Sequence, residues 1–158
     1  ILGEVQLVSI GIGYSLPFKV VGAPWIKAEE FAAKLNAQKL PGVRFQPYHF
    51  RPFWGLYKGL DCAGVLIHVF DTKACRPVAV QYMILGMLKS LYPEEFQKKV
   101  SQIQAKKEMF CKANGTDFVY ESILKEKYPA WKLIEFQQEE REVFLEKRKK
   151  YLLSYPIQ

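Results

Sequence analysis

The sequence contains few of the residues that build metal sites, disulfide frameworks and membrane spans. It has three cysteines and two histidines in 158 residues, and no two cysteines form a CxxC pair. An odd number of cysteines cannot close a full disulfide framework, and neither histidine has the HxH or HExxH spacing of a zinc site. No apolar run approaches the roughly 18 residues that a membrane span requires. We therefore expect free thiols, no metal, no cofactor and no transmembrane segment in this chain.

Motifs for nucleotide binding and nucleophilic catalysis are also missing. There is no GxSxG elbow, and Gly11-Ile12-Gly13 lacks the third glycine and the following helix of a dinucleotide fingerprint. Hydrolysis of a glycosidic bond usually needs two carboxylates. The first 88 residues contain five: Glu4, Glu29, Glu30, Asp61 and Asp71. Asp61 and Asp71 flank one strand-like segment, too far apart to form a close pair, so this segment alone predicts a poor catalytic centre.

The net charge of +7 raises the possibility of a nucleic-acid surface. The distribution of charge argues against it. Residues 1–88 hold nine Lys or Arg against five Asp or Glu, and residues 89–158 hold 14 against 11. In the tail the signs interleave, as in Glu139-Glu140-Arg141-Glu142, which is typical of a solvated helix face. We expect no nucleic-acid partner.

What the chain does contain is enough apolar material for one folded domain. It is 49% hydrophobic and 15% aromatic, and its length is that of a single domain spanning residues 1–158. The first residue is Ile1 rather than Met, and a strand-like pattern follows almost at once. This start suits a fragment of a longer protein, which we favour, or a mature chain after signal cleavage.

The first half of the sequence predicts strands and one helix. Residues 4–10 alternate like a strand, and residues 27–40 show the spacing and the acidic first turn of a helix. Residues 43–53 are strand-like but contain two prolines, which indicates an edge or bulged strand. Residues 64–70 form the clearest strand, with strict alternation.

The second half predicts helices. Residues 78–91 are apolar almost all round, which indicates a central buried helix. Residues 96–111 form a more polar helical stretch, and Asn114-Gly115-Thr116-Asp117 is a turn before a short helix over residues 118–127. Residues 130–153 read as the longest helix. The order predicts an α+β fold: a small mixed or antiparallel sheet with helices packed on it, and a helix-rich C-terminal half.

The candidate ligand-binding residues lie in loops or at strand ends. Trp25 follows a Gly-Ala-Pro turn, and Arg51 lies among loop aromatics that could stack on sugar rings or could be ordinary packing residues. His68 is either a hydrogen-bonded histidine at the margin of the core or a polar residue at a pocket rim near Asp71. The glycine pair is either a plain turn or a loop whose backbone approaches a ligand closely.

Seven segments, taken in order, resemble a known family. They are Ser9-Ile10-Gly11-Ile12-Gly13-Tyr14-Ser15-Leu16-Pro17-Phe18, Gly22-Ala23-Pro24-Trp25, Leu40-Pro41-Gly42-Val43-Arg44-Phe45, Gly64-Val65-Leu66-Ile67-His68-Val69-Phe70-Asp71, Arg76-Pro77, Asn114-Gly115-Thr116-Asp117 and residues 147–153. Together they resemble the C-terminal domain of NamZ-type exo-β-N-acetylmuramidases, also called the YbbC family. The likeness covers nearly the whole chain, and the ordered set is more specific than any one of its motifs.

This resemblance implies a bacterial, extracytoplasmic protein with two domains. An N-terminal Rossmann-like domain would pack on this one and supply the main catalytic carboxylate, and the substrate would be peptidoglycan fragments or muropeptides. The alternative is a non-catalytic glycan-binding or scaffolding member. The predicted substrate-binding residues are Gly11, Gly13, Tyr14, Trp25, Arg51, His68 and Asp71.

The sequence departs from the family pattern in the first segment. Many members carry Ser-Glu-Gly-Arg-Gly-Thr-Thr-Arg-Pro-Phe there, whereas this chain has Ile10, Ile12 and Leu16 in place of the Glu and both Arg residues. Apolar side chains cannot bind a carboxylate or move a proton. The resemblance therefore implies altered specificity or lost activity at this loop.

Overall fold

Three strands form one antiparallel sheet: β1 (Val20–Ala23), β2 (Val43–Phe50) and β3 (Cys62–Val69). The computed structural model, which describes residues 2–153, places β3 at the centre in the order β1-β3-β2. The interpretation of Ile1 as the start of a fragment or of a mature chain concerns a residue outside the described range. β2 is an edge strand, as its prolines predicted, with Pro47 opposite Val65. β3 is the segment with the clearest alternation.

Helices make up most of the rest of the chain and confirm the predicted α+β class with a helix-rich C-terminal half. Within residues 2–153, no helix is both long enough and apolar enough to cross a membrane. The helices are α1 (Leu2–Val5), α2 (Ala28–Ala37), α3 (Pro77–Leu91), α4 (Pro93–Ala105), α5 (Lys107–Asn114), α6 (Phe118–Lys125), α7 (Ala130–Glu135) and α8 (Gln138–Arg148).

The main core lies between the inner face of the sheet and the helices. Val21, Phe45 and Val65 are buried in the same apolar cluster as Phe31 of α2. α3 is the central helix, as predicted, and has buried side chains all round its axis: Ala79, Val80, Tyr82, Met83, Ile84, Leu85 and Leu88. This core fixes the sheet from one side only, which leaves its outer face available to loops.

The edge of β2 is held by one side chain of α2. The side-chain amide of Asn36 donates to the Phe45 carbonyl oxygen at 2.7 Å, and its oxygen accepts from the Phe45 N–H at 3.0 Å. Each of these bonds satisfies a backbone group that β3 does not reach. α2 therefore packs on the sheet and also pairs with its edge.

The strand predicted over residues 4–10 is wrong. The segment starts with α1, and only Ser9 makes a bridge, exchanging backbone hydrogen bonds of 2.8 and 3.0 Å with Gly22. Leu7, Val8 and Ser9 are all buried in succession. The apparent alternation therefore did not reflect burial of one face, on which strand periodicity depends.

The two long helices predicted for the second half are each divided. The stretch over residues 96–111 is split at Lys106 between α4 and α5, although no proline or glycine occurs there. The stretch over residues 130–153 is split at Gln137, which has φ 56°. The second break has a clear cause, because α7 buries Leu133 and Ile134 whereas α8 buries no residue. The chain turns where core packing ends.

Candidate functional site

A loop of residues 10–18, here called the glycine loop, covers part of the outer face of the sheet. On that face Val20, Phe50 and Cys62 form a second, smaller apolar cluster. Tyr14 and Leu16 of the glycine loop pack against it. The loop is thus anchored by its side chains to the sheet rather than standing free in solvent.

The two glycines let the glycine loop approach a second loop closely. Gly11 and Gly13 have φ values of 79° and 85°, which residues other than glycine rarely adopt. A Cβ atom on Gly13 would lie 2.0 Å from the carbonyl oxygen of Trp54. The N–H of Phe53 donates to the Gly13 carbonyl at 2.8 Å. The glycine loop and the loop of residues 51–61, here called the aromatic loop, therefore pack backbone to backbone.

The two loops together present an apolar surface, here called the loop surface, formed by Ile12, Phe53 and Trp54. The exposed fractions of these side chains are 39%, 62% and 54%. Phe18, also on the glycine loop, is 70% exposed. Large apolar side chains that are exposed together on adjacent loops are typical of a binding surface, whereas single exposed apolar residues are not.

Tyr14 lies beside this surface and is held by aromatic neighbours. Its hydroxyl is 3.3 Å from the Tyr48 hydroxyl, and its ring centroid is 5.2 Å from that of Phe50. The hydrogen bond with Tyr14 raises the pKa of Tyr48. Both phenol hydroxyls can donate hydrogen bonds to ligand hydroxyls or accept hydrogen bonds from them.

Trp25 lies deeper and serves the packing of the aromatic loop. Its indole N–H donates to the Tyr57 hydroxyl at 3.3 Å, and that hydroxyl donates to the Leu7 carbonyl at 2.9 Å. The Trp25 ring also packs edge-to-face on Tyr92 at 5.2 Å. The structure thus places Trp25 behind the aromatic loop, which it supports through Tyr57.

Arg51 is occupied by an ion pair. Its Nε and terminal nitrogen donate to the two carboxylate oxygens of Asp61 at 2.8 and 2.7 Å. The hydrogen bonds from Arg51 lower the pKa of the Asp61 carboxyl. A general acid needs a raised pKa, so Asp61 is suited to closing the aromatic loop across its base rather than to proton donation.

His68 and Asp71 lie toward the opposite end of β3. Tyr48 pairs with Gly64 on β3, and His68 lies four residues further along that strand. The distance along the strand from Gly64 to His68 is therefore about 13 Å. His68 is exposed, its Nε2 is 2.8 Å from the Gln46 side-chain oxygen, and it lines a cleft of about 570 Å³. This favours the pocket-rim interpretation. Asp71 accepts hydrogen bonds from the backbone N–H groups of Lys73 and Ala74.

The structure therefore brings together only some of the predicted site residues. Gly11, Gly13 and Tyr14 lie in the glycine loop, where both glycines are buried and Tyr14 is half-buried, and Arg51 pairs with Asp61 across the aromatic loop. The expected free thiols are present at Cys62, Cys75 and Cys111. Burial raises the pKa of the Cys62 thiol to about 11, which makes it a poor nucleophile.

The three apolar replacements have different surroundings. Ile10 packs against the main core and Leu16 against the smaller cluster. Ile12 alone lies exposed at the loop surface. Two of the three thus gain packing contacts within this chain, and the third extends the apolar area beside Trp54.

A second region was missed from the sequence. Arg76, Arg141 and Arg148 line a cleft of about 770 Å³ between the start of α3 and α8. Arg141 was interpreted as part of a solvated helix face, because its neighbours alternate in charge. Only the break at Gln137, which the sequence did not reveal, brings Arg141 to Arg76.

Comparison with known proteins agrees with this fold. The family model described as "Exo-beta-N-acetylmuramidase NamZ, C-terminal" matches residues 1–154. A DUF1343 family protein from Bacteroides fragilis NCTC 9343, known from a crystal structure, is similar with a TM-score of 0.85 and 29% identity. The likeness covers 98% of this chain and 40% of that one.

A curated relative gives the same result. The peptidoglycan β-N-acetylmuramidase NamZ of Bacillus subtilis (strain 168) is 36% identical over 90 residues, which are 57% of this chain and 22% of that protein. The chain thus spans less than half of the length of the relatives it matches. Because the family model matches nearly the whole length of the chain, the chain belongs to the NamZ C-terminal domain family.

Proposed function

We propose that this chain is the substrate-cleft domain of a peptidoglycan-directed glycoside hydrolase, and that the loop surface contacts the glycan. The observation that carries the proposal is the packing of Gly13 against the backbone of Trp54, which fixes two loops so that Phe53 and Trp54 remain exposed. Such rings offer flat apolar faces to the C–H faces of sugars, and the neighbouring phenols of Tyr14 and Tyr48 can bond to sugar hydroxyls.

The catalytic carboxylate is assigned to another part of the full protein. Asp61 is paired with Arg51, and Asp71 accepts hydrogen bonds from its own turn. The hydrogen bonds from Arg51 lower the pKa of Asp61, whereas the general acid of a glycosidase needs a raised pKa. An N-terminal Rossmann-like domain of the same protein would supply the acid, and the substrates would be muropeptides outside the cytoplasm. The share of the relatives that this chain spans supports a two-domain protein.

A non-catalytic glycan-binding member is the second candidate. It is favoured by Ile12, an apolar residue at the loop surface where many family members carry a charge. In that case the full protein would hold the glycan without cleaving it. Binding at the loop surface is common to both candidates, and turnover separates them.

Binding is tested on the 158-residue chain by titrating it with muropeptides. We expect saturable binding and a change in tryptophan fluorescence. Trp54→Ala should abolish both, because it removes the exposed ring. Trp131→Ala is the matched control: Trp131 is 44% exposed but lies on α7, away from the loops. Equal binding by wild type and Trp54→Ala would contradict the proposed site.

Turnover is tested on the full-length protein by release of reducing sugar from muropeptides. Release that is lost on Trp54→Ala and kept in Trp131→Ala supports the hydrolase. Saturable binding without release supports the binding-only candidate. If the full protein neither binds nor cleaves muropeptides, both proposals are wrong.

A further inference from the structure

The second region described above, here called the cationic cleft, has an unusual charge balance. It lies where the start of α3 faces α8, and its lining includes Lys73, Arg76, Arg141 and Arg148. The single carboxylate in its lining among the described residues is Glu140. Four cations thus face one anion within about 770 Å³.

The arginines of the cleft have no acidic partner in the described chain. Within residues 2–153, no ion pair involves Arg76, Arg141 or Arg148, although six ion pairs form elsewhere. The Arg141 Nε is buried and makes no hydrogen bond to residues 2–153. A buried N–H donor without an acceptor costs free energy, which an acceptor bound in the cleft would relieve.

Arg141 also affects Arg76. Burial lowers the pKa of the Arg76 guanidinium, and the positive charge of Arg141 lowers it further. Two arginines that line one cleft are suited to hold an oxyanion between them, because planar N–H forks match carboxylate and phosphate oxygens.

The backbone contributes to the same cleft. α3 has 15 residues, its N-cap residue Arg76 makes no side-chain cap, and Pro77 has no N–H. In the described chain, the N–H groups of Val78 and Ala79 have no acceptor, and both residues line the cleft. Free N–H groups at the positive end of a helix favour a bound anion.

We propose that the cationic cleft is an anion-binding site that takes an oxyanion, carboxylate or phosphate, between Arg76 and Arg141 at the start of α3. The apolar part of the lining, which includes Ile134 and Phe144, suits an anion carried on a larger molecule. The residues of the loop surface do not line this cleft. The site is therefore separate from the proposed glycan surface and does not depend on it.

The test is ligand binding to the 158-residue chain at constant ionic strength, followed by amide chemical shifts and by thermal stability. The probes are inorganic phosphate, N-acetylmuramic acid and N-acetylglucosamine, with chloride as the reference anion. The two sugars differ in the lactyl carboxylate, so their comparison isolates the charge. We expect shifts at Val78 and Ala79 with the anionic probes and none with N-acetylglucosamine.

Arg141→Gln should weaken binding about tenfold or more, since one charge-assisted hydrogen bond is lost. Arg76→Gln should do the same. Lys34→Gln, on the exposed face of α2, makes the same change of net charge away from the cleft and should leave binding unaltered. Far-UV circular dichroism of each variant checks that the fold is retained.

The outcomes separate the sources of the anion. Binding of N-acetylmuramic acid without binding of phosphate indicates a carboxylate on a glycan, and the reverse indicates free phosphate. Binding of both indicates recognition of the oxyanion alone. No shift at Val78 and Ala79 with either anion overturns the proposal, as does anion binding that survives in both arginine variants. Loss of muropeptide binding through Trp54 leaves the phosphate result untouched, so the two proposals fail independently.

Discussion

The loop surface and the cationic cleft satisfy their polar groups in different ways. Behind the loop surface the polar side chains find partners within the chain, as Arg51 does with Asp61 and Trp25 does with Tyr57. In the cleft, Arg76 and Arg141 form no ion pair with any acid of the described residues, although Glu140 lines the same cleft. The loop surface is thus pre-formed by packing, and its exposed part is apolar. The cleft retains unbalanced charge that packing does not relieve.

This difference bears on the ligand proposed for each region. A pre-formed apolar surface keeps its shape without ligand and selects by shape and contact. A cluster of like charges is held in place by the surrounding fold at a cost in stability, which a counter-ion removes. Substitutions should therefore weaken the protein at the loops and strengthen it at the cleft.

The largest loss is expected from Gly13→Ala. The added Cβ would lie 2.0 Å from the Trp54 carbonyl oxygen at a φ of 85°. Overlap and backbone strain together should lower the free energy of unfolding by about 3 kcal/mol. Gly59→Ala is the matched control in the adjacent loop. Its φ is 74°, but a Cβ added there would have no atom of residues 2–153 within 4 Å apart from its chain neighbours. Urea denaturation measures both, and equal losses would show that overlap with Trp54 is unimportant.

Tyr57→Phe should have the next largest effect. It removes the acceptor for Trp25 and the donor for the Leu7 carbonyl, which should lower the unfolding free energy by about 1–2 kcal/mol. Tyr48→Phe should lose less, because among residues 2–153 the Tyr48 hydroxyl makes one hydrogen bond, to Tyr14 at 3.3 Å, whereas the Tyr57 hydroxyl makes two. Denaturant unfolding at pH 7 gives the comparison.

Tyr57 also predicts a pH dependence. Burial raises its pKa above the ordinary value of 10.0. The unfolded chain then loses the phenolic proton first, so the contribution of Tyr57 to stability is present below about pH 10 and declines as the pH rises further. The difference in stability between wild type and Tyr57→Phe should shrink over that range, and a constant difference would contradict this assignment.

Arg141→Leu should change stability in the opposite direction. The substitution removes the Arg141 Nε, a buried donor without a hydrogen-bond partner among the described residues, and it removes the repulsion between Arg141 and Arg76. The free energy of unfolding should therefore rise by about 1 kcal/mol in buffer without phosphate. Arg148→Leu, at an exposed position of the same cleft, should leave it unchanged. Added phosphate should reduce the advantage of Arg141→Leu. A variant less stable than wild type would mean that Arg141 has a structural role.

Arg51→Gln should have the smallest effect on stability. The ion pair with Asp61 is exposed, with 61% and 79% of the two side chains accessible, and such pairs contribute little. The unfolding midpoint should stay within experimental error. NMR titration should show the pKa of Asp61 rising toward its ordinary value, because the hydrogen bonds from Arg51 that lower it are gone. An unshifted titration would show that the pair does not form in solution.

The sequence predicted those elements whose boundaries are set locally. The alternation of β3 and the apolar circumference of α3 are local signals, and the prolines of β2 marked it as an edge. Residues 4–10 were misjudged because Leu7 and Val8 are both buried by contacts distant in the chain. The break at Gln137 has no proline or glycine to mark it.

The same distinction applies to the two regions. Gly11, Gly13 and Tyr14 were predicted as substrate-binding residues of one short segment, so the sequence alone placed them together. The contact between Gly13 and Trp54, across 41 residues, required the fold. Arg76 and Arg141 lie 65 residues apart, and interleaved charges concealed the second of them. Long-range pairing of like charges leaves no periodic signal in a sequence.

The two hydrogen bonds between the Asn36 side chain and the Phe45 backbone affect association between molecules. An edge strand offers free N–H and carbonyl groups to any extended chain, which is a route to aggregation. On β2 the outward N–H and carbonyl of Phe45 are already taken by the Asn36 amide, and Pro47, the next outward residue, has no N–H to offer. Around Phe45 and Pro47 this edge therefore offers few backbone groups to an added strand, which disfavours intermolecular strand addition there.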